Sequence, residues 1–191
     1  MKKIGLTGVL GSGKTTAAKQ FFSYGIPVYI ADEYAKEIMF NDLDVKKKLI
    51  DIMGESIYEN NCLNKDFISN ILFNNKNILL KINKIIHPIV TENFEAWFKK
   101  QTSPYCIYES ALIFENNSQN LFDKIVCIYT PLDIIYDRLI SKRKYSTEKI
   151  NLILANQIEQ NVKCSRSDFC LKNKSINILK TQIYNLHKSF L

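Results

Sequence analysis

The chain has 191 residues, 46% of them hydrophobic, and a formal net charge of +7. This excludes a disordered chain and leaves room for one α/β domain with an insertion. The charge favours polyanionic ligands, but the basic residues are scattered, and the clusters Lys46-Lys47-Lys48 and Lys142-Arg143-Lys144 lack the aromatic platforms of a single-strand nucleic-acid binder.

A short apolar run at about residues 2–7 predicts a buried parallel strand. Gly8-Val9-Leu10-Gly11-Ser12-Gly13-Lys14-Thr15 follows it and matches the phosphate-loop pattern G-x-x-x-x-G-K-[ST]. A helix then runs to about Tyr24, stopped by Gly25 and Pro27. Val28 to Ala31 reads as a second strand ending at Asp32. Between about Glu33 and Gln101, apolar residues recur at helical spacing, among them Leu49, Met53, Ile71, Leu72, Ile82 and Ile86. Asn60-Asn61 and Asn74-Asn75 are turn signals there. Several helices and no strand are expected, forming an inserted helical subdomain. His87-Pro88 interrupts the pattern, and Pro88 can open a new helix carrying Val90, Phe94, Trp97 and Phe98 on one side.

Tyr105 to Tyr108 forms the next predicted strand, ending at Glu109, followed by a loop containing Asn116-Asn117. Lys124 to Tyr129 is a further strand, and Thr130-Pro131 starts a helix with Thr130 as its cap. That helix runs into Arg138, Lys142 and Arg143. Ser146 opens an amphipathic helix to about Val162, Asp168 to Leu171 is a last strand, and Ser175 to His187 a last helix. Five strands, each followed by helix, predict helices sandwiching a parallel sheet.

The five cysteines (62, 106, 127, 164 and 170) include no C-x-x-C pair, and His87 and His187 lack metal-ligand spacing. Reduced thiols, a cytoplasmic location and no structural metal are expected. No signal peptide is expected, and no apolar stretch reaches the roughly 18 residues of a membrane span.

The phosphate loop presents backbone N–H groups to an anion, and the following helix adds the positive end of its dipole. Lys14 would reach the β- and γ-phosphates, and the Thr15 hydroxyl would ligate Mg²⁺. Ligands of open α/β sheets bind beyond the carboxyl ends of the strands, which selects Asp32 and Glu109. Asp32 is a candidate base for an attacking hydroxyl, or simply the N-cap of the next helix. Glu109 could support the metal or its waters. By position alone Glu115 reads as a surface residue and His87 as structural. Arg138 and Arg143 lie where a guanidinium could close over a transferring phosphoryl group. The chain lacks N-K-x-D and L-S-G-G-Q motifs and is short for a helicase, which leaves a small kinase.

The chain resembles the dephospho-coenzyme A kinases. That family has G-x-x-V-x-D-A-D, to which Gly25-Ile26-Pro27-Val28-Tyr29-Ile30-Ala31-Asp32 is similar, with Ile30 in place of the first Asp. Its I-x-H-P-x-V resembles Ile85 to Val90, and its P-L-L-F-E resembles Ala111-Leu112-Ile113-Phe114-Glu115. Its Q-x-x-R-L segment resembles Ile135 to Leu139, its lid glutamine falls at Gln157, and A-D-x-x-I-x-N is echoed by Ser167 to Asn173. The family's lid arginine is Lys142 here, with Arg143 one step on, and the arginine after H-P is Thr91.

The resemblance implies an α/β P-loop three-layer sandwich with a five-stranded parallel sheet. The core would comprise 1–32, 103–137 and 166–191, the inserted helical acceptor subdomain 33–102, and the helical lid 138–165. It implies transfer of the γ-phosphate of ATP, with Mg²⁺, to the ribose 3′-hydroxyl of dephospho-CoA, giving CoA and ADP. Another small-molecule or nucleoside monophosphate kinase is the alternative. Nucleotide would be held by Gly8, Gly11, Ser12, Gly13, Lys14, Thr15, Thr16 and Asn173. The acceptor would meet Asp32, His87, Glu109, Glu115 and Gln157. Lys14, Asp32, Arg138 and Arg143 would be catalytic, and Thr15 and Glu109 would face the metal. No nucleic-acid or membrane partner is expected, and the chain would be a monomer or weak oligomer.

Overall fold

A computed structural model describes residues 1–60, 62–64, 67, 68, 71 and 75–191; Asn61, Leu72 and Asn74, named above, lie outside these. Chain contacts divide it into two units, Met1–Ile30 with Lys100–Leu191, and Ala31–Lys99.

The first unit is built on β1 (Lys2–Thr7), whose residues Ile4 to Thr7 are all buried. Strands of parallel sheets are covered on both faces, and β1 fits this, with a parallel neighbour on each side. It pairs in parallel with β5 (Tyr105–Glu109) and with β6 (Lys124–Tyr129). β2 (Val28–Ile30) adds to β5, and β7 (Phe169–Lys172) to β6. The order β2-β5-β1-β6-β7 puts the phosphate-loop strand at the centre of five.

Helices α1 (Lys14–Ser23) and α8 (Ile176–Phe190) pack on one face, where Ala17, Phe21, Leu179 and Ile183 meet Ile4, Leu6, Ile107 and Val126 in one core. Ser175 caps α8, accepting from the Ile178 N–H. The expectation of a helix after every strand fails after β5: among the described residues, 110–123 are turns and a short 3₁₀ segment at Gln119–Leu121. Their side chains come so close to β1 that a Cβ on Gly5 would lie 3.0 Å from Ile113 and 3.1 Å from Phe122.

Two further expectations change. Thr130 is not a cap; the N-cap of α5 (Leu132–Arg143) is Pro131, and the Thr130 hydroxyl is turned inward. The helix expected to reach Val162 is instead α6 (Thr147–Ala155) and α7 (Gln160–Ser165), with a break between them. The break is held by tertiary bonds, since the Ile158 N–H donates to Glu115 Oε1. The tight reversal from α7 to β7 also corrects the expectation of reduced thiols. It brings the Cα atoms of Cys164 and Cys170 to 5.2 Å, and the two form a disulfide. Cys62, Cys106 and Cys127 are free thiols.

The second unit contains α2 (Ala31–Asn41), α3 (Leu43–Met53) and α4 (Lys76–Phe98). Contrary to expectation it includes a small antiparallel pair, β3 (Tyr58–Glu59) and β4 (Cys62–Leu63), turned at Asn60 with φ 50°. Pro88 does not break α4, which runs through it for 23 residues. An interior proline costs about 3 kcal/mol. Ile82, Ile86, Val90 and Phe94, spaced by four, are all buried, and each such side chain contributes about 1.5–3 kcal/mol. The stripe outweighs the proline. No helix among the described residues is long and apolar enough to cross a membrane.

Candidate active site

The loop between β1 and α1 holds its shape through few internal bonds. The Ser12 N–H donates to Val9 O at 3.1 Å, and the Ala17 N–H to Gly13 O at 3.0 Å. No side chain caps α1, which leaves its first turn as an anion site. Thr7 Oγ1 and Ser12 Oγ, at the root of the loop, are buried without hydrogen-bond partners among the described residues. That fits a loop completed by a bound anion. Lys14 is 8% exposed, and its Nζ donates to Val9 O at 3.2 Å. Thr15 and Thr16 are exposed in the first turn of α1.

Gly13 has φ 98°, and a Cβ there would lie 2.2 Å from Nδ2 of Asn173. Gly13→Ala is expected to lower stability by about 1–3 kcal/mol. It should also weaken triphosphate binding at least about tenfold, close to 1.4 kcal/mol. A thermal melt and a nucleotide titration check the two effects.

A collar of side chains braces the loop from outside. The Leu10 N–H donates to Gln157 Oε1 at 2.9 Å. Ser12 O accepts from Thr130 Oγ1 and from Asn173 Nδ2, each at 2.7 Å. Arg138 Nη2 reaches Asn173 Oδ1 at 3.5 Å, and Nη1 lies 3.8 Å from the Cβ position of Gly13. Gln157, Asn173 and Arg138 are thus brought to the loop. Arg143 ends α5 exposed, five residues on and roughly 140° round the helix from Arg138. Lys142, four residues on, shares the Arg138 face.

Glu109 closes β5 beside β1, paired in register with Leu6, and is 4% exposed. Glu115 is not the surface residue that its position alone suggests. Its side chain is 13% exposed and bonds Lys163 at 2.7 Å. In the second unit, Asp32 is exposed in the first turn of α2, which begins at Ala31, so Asp32 is inside the helix and not its N-cap. His87 is half-buried within α4, and burial lowers its pKa below the usual histidine value. Its carbonyl accepts from the Thr91 hydroxyl at 2.9 Å.

Sequence reasoning missed Thr130, Gln160 and Lys163. Gln160 and Lys163 carried a weak signal, two polar residues three apart on a short helix. Thr130 carried none, because its partner lies 118 residues away.

A family model described as dephospho-CoA kinase matches residues 2–178. The chain belongs to the dephospho-CoA kinase family. A dephospho-CoA kinase of Bacteroides fragilis is 34% identical over 185 residues, covering 96% of this chain and 90% of that one. The fold is that of a solved Thermus thermophilus protein, with a TM-score of 0.87 at 22% identity over 100% of this chain and 97% of the other. A solved dephospho-CoA kinase of Campylobacter jejuni superposes with a TM-score of 0.61 at 21% identity, covering 99% and 97% of the two chains.

Proposed function

We propose that the chain transfers the γ-phosphate of ATP to the ribose 3′-hydroxyl of dephospho-CoA, giving CoA and ADP. The observation that carries this is the phosphate loop with its collar, in a chain of this family. The loop amides and Lys14 hold the β- and γ-phosphates; on binding, the Lys14 ammonium exchanges the Val9 carbonyl for phosphate oxygen. Asp32 orients the acceptor hydroxyl and takes its proton. Arg138 meets the charge that develops on the transferring group, and Lys142, on the same helix face, is better placed than Arg143 to assist it. The helical insert, with His87, holds the acceptor, and residues 138–165 serve as the lid.

Thr15 and Glu109 supply a hydroxyl and a carboxylate, the hard oxygen donors that suit Mg²⁺. Among the described residues no group of three or more His, Cys, Asp or Glu side chains forms. A magnesium ion would therefore take most of its ligands from phosphate and water, and would supply charge neutralisation there. Gln157 and Asn173 act on the loop backbone, which makes them positioning residues for the nucleotide.

Coupled ADP release with dephospho-CoA, AMP, CMP and shikimate as acceptors tests the reading. Turnover with dephospho-CoA and background rates with the rest are expected. Equal or faster turnover with another acceptor would overturn the assignment.

A further inference from the structure

Three side chains from residues 157–163 reach three parts of the frame around the phosphate loop. Gln157 Oε1 accepts from the Leu10 N–H at 2.9 Å, and Gln160 Oε1 from the Thr130 N–H at 3.3 Å. Lys163 Nζ bonds Glu115 Oε1 at 2.7 Å and donates to Ala111 O. Ala111 lies two residues beyond Glu109. Glu115 Oε1 also accepts from the Ile158 N–H at 2.9 Å, so one carboxylate ties both ends of this stretch.

The Lys163 side chain is 0% exposed. Burying two ions costs several kcal/mol each, and an apolar pair of similar volume is often at least as stable. Glu115 Oε2 adds to the cost, being buried without a hydrogen-bond partner among the described residues. Stability alone does not account for the pair. What it does provide is a rigid link between α7 and the main chain that follows β5. The pair also lies within electrostatic reach of the root of the loop. Cys127 pairs with Thr7, the residue before the loop. Burial pushes its thiol up to about 11, while the Lys163 and Lys14 ammoniums both pull it down and Glu115 pushes it up.

We infer that Lys163, with Glu115, is a positioning residue for phosphoryl transfer. The pair clamps α7 to the segment after β5, which keeps Gln157 on the Leu10 amide and Glu109 in place beside β1. The inference rests on the kinase reading above.

Lys163→Met keeps the length of the side chain and removes the charge. Its kcat should fall about 10²-fold, the usual cost of misplacing reacting groups by about 1 Å. KM for ATP and for dephospho-CoA should change by less than about threefold, since neither substrate touches Lys163. Amide exchange at Leu10 should quicken, because Gln157 no longer holds that N–H. The double variant Lys163→Met/Glu115→Gln removes both charges while keeping an acceptor for Ile158. Its melting temperature should return towards that of the unaltered chain, with kcat still depressed. If kcat recovers together with the melting temperature, the pair is only a stabilising contact and the inference is overturned. Full kcat in Lys163→Met overturns it as well. Where the single variant does not fold, the double variant decides. An unaltered chain that releases no ADP with dephospho-CoA overturns the kinase reading itself, whereas an active chain with active variants overturns only the role of Lys163.

Discussion

Lys14→Ala is expected to lower kcat for phosphoryl transfer by about 10³-fold, the upper end for losing one preorganised donor to developing charge. The lost bond to Val9 O should by itself shift the melting temperature of the unliganded protein by about 4 °C, equivalent to about 1 kcal/mol in a chain of this size. The two effects separate because Lys14 Nζ, which donates to Val9 O in the unliganded loop, is needed to meet phosphate oxygen only when nucleotide is bound. Val9 O loses one donor but still accepts from the Ser12 N–H. A single intramolecular hydrogen bond contributes about 1 kcal/mol net. On the proposed reading, the same ammonium would face several negative charges once ATP is bound. Coupled ADP release and a thermal melt on the same preparation measure both. A variant that retains a tenth or more of the activity would show that the loop amides alone carry the γ-phosphate.

Asp32→Asn is the second large effect. Loss of a general base costs roughly 10²–10⁴-fold in rate. The loss should appear in kcat with little change in KM for dephospho-CoA, because asparagine keeps the shape and one acceptor oxygen of the residue. Asp32 is exposed in the first turn of α2, and Glu33 remains beside it to face the helix dipole. The stability change should therefore stay within about 1 kcal/mol. Steady-state kinetics with dephospho-CoA varied at saturating ATP, beside a thermal melt, separate the two. Near-normal turnover in a folded Asp32→Asn protein would remove Asp32 from the mechanism as a base.

Much of the phosphate site was legible in the sequence, because its signals are local. Glycine spacing, the strand before it and the helix after it fall within about twenty residues, and strand ends point to Glu109 without further information. What was illegible depends on long-range partners. Thr130 looks like a helix cap in its own neighbourhood, and only the distant Ser12 carbonyl turns it inward. Glu115 and Lys163 each look like surface charges until the fold brings them together across a separation of 48 residues. Pro88 illustrates the opposite error, in which a strong local signal loses to a buried stripe. The helix that opens after Ser146 ends sooner than its pattern suggests for a related reason. Residues 156–159 have no glycine or proline to announce the break, which is fixed by what Leu10 and Glu115 bond.

The central position of β1 in the sheet has a consequence for the order in which the protein is made. Its partner strands begin at Tyr105 and Lys124, and the bonds that brace the loop span 147 and 161 residues. A chain emerging from the ribosome presents the phosphate motif first and its supports last. Such non-local closure slows folding and leaves early segments waiting for late ones. The bonds from Gln157 and Asn173 to residues 8–15 form only once those residues have been synthesised and docked. A nascent chain that ends before Asn173 carries the complete motif without the brace that Asn173 puts on the Ser12 carbonyl.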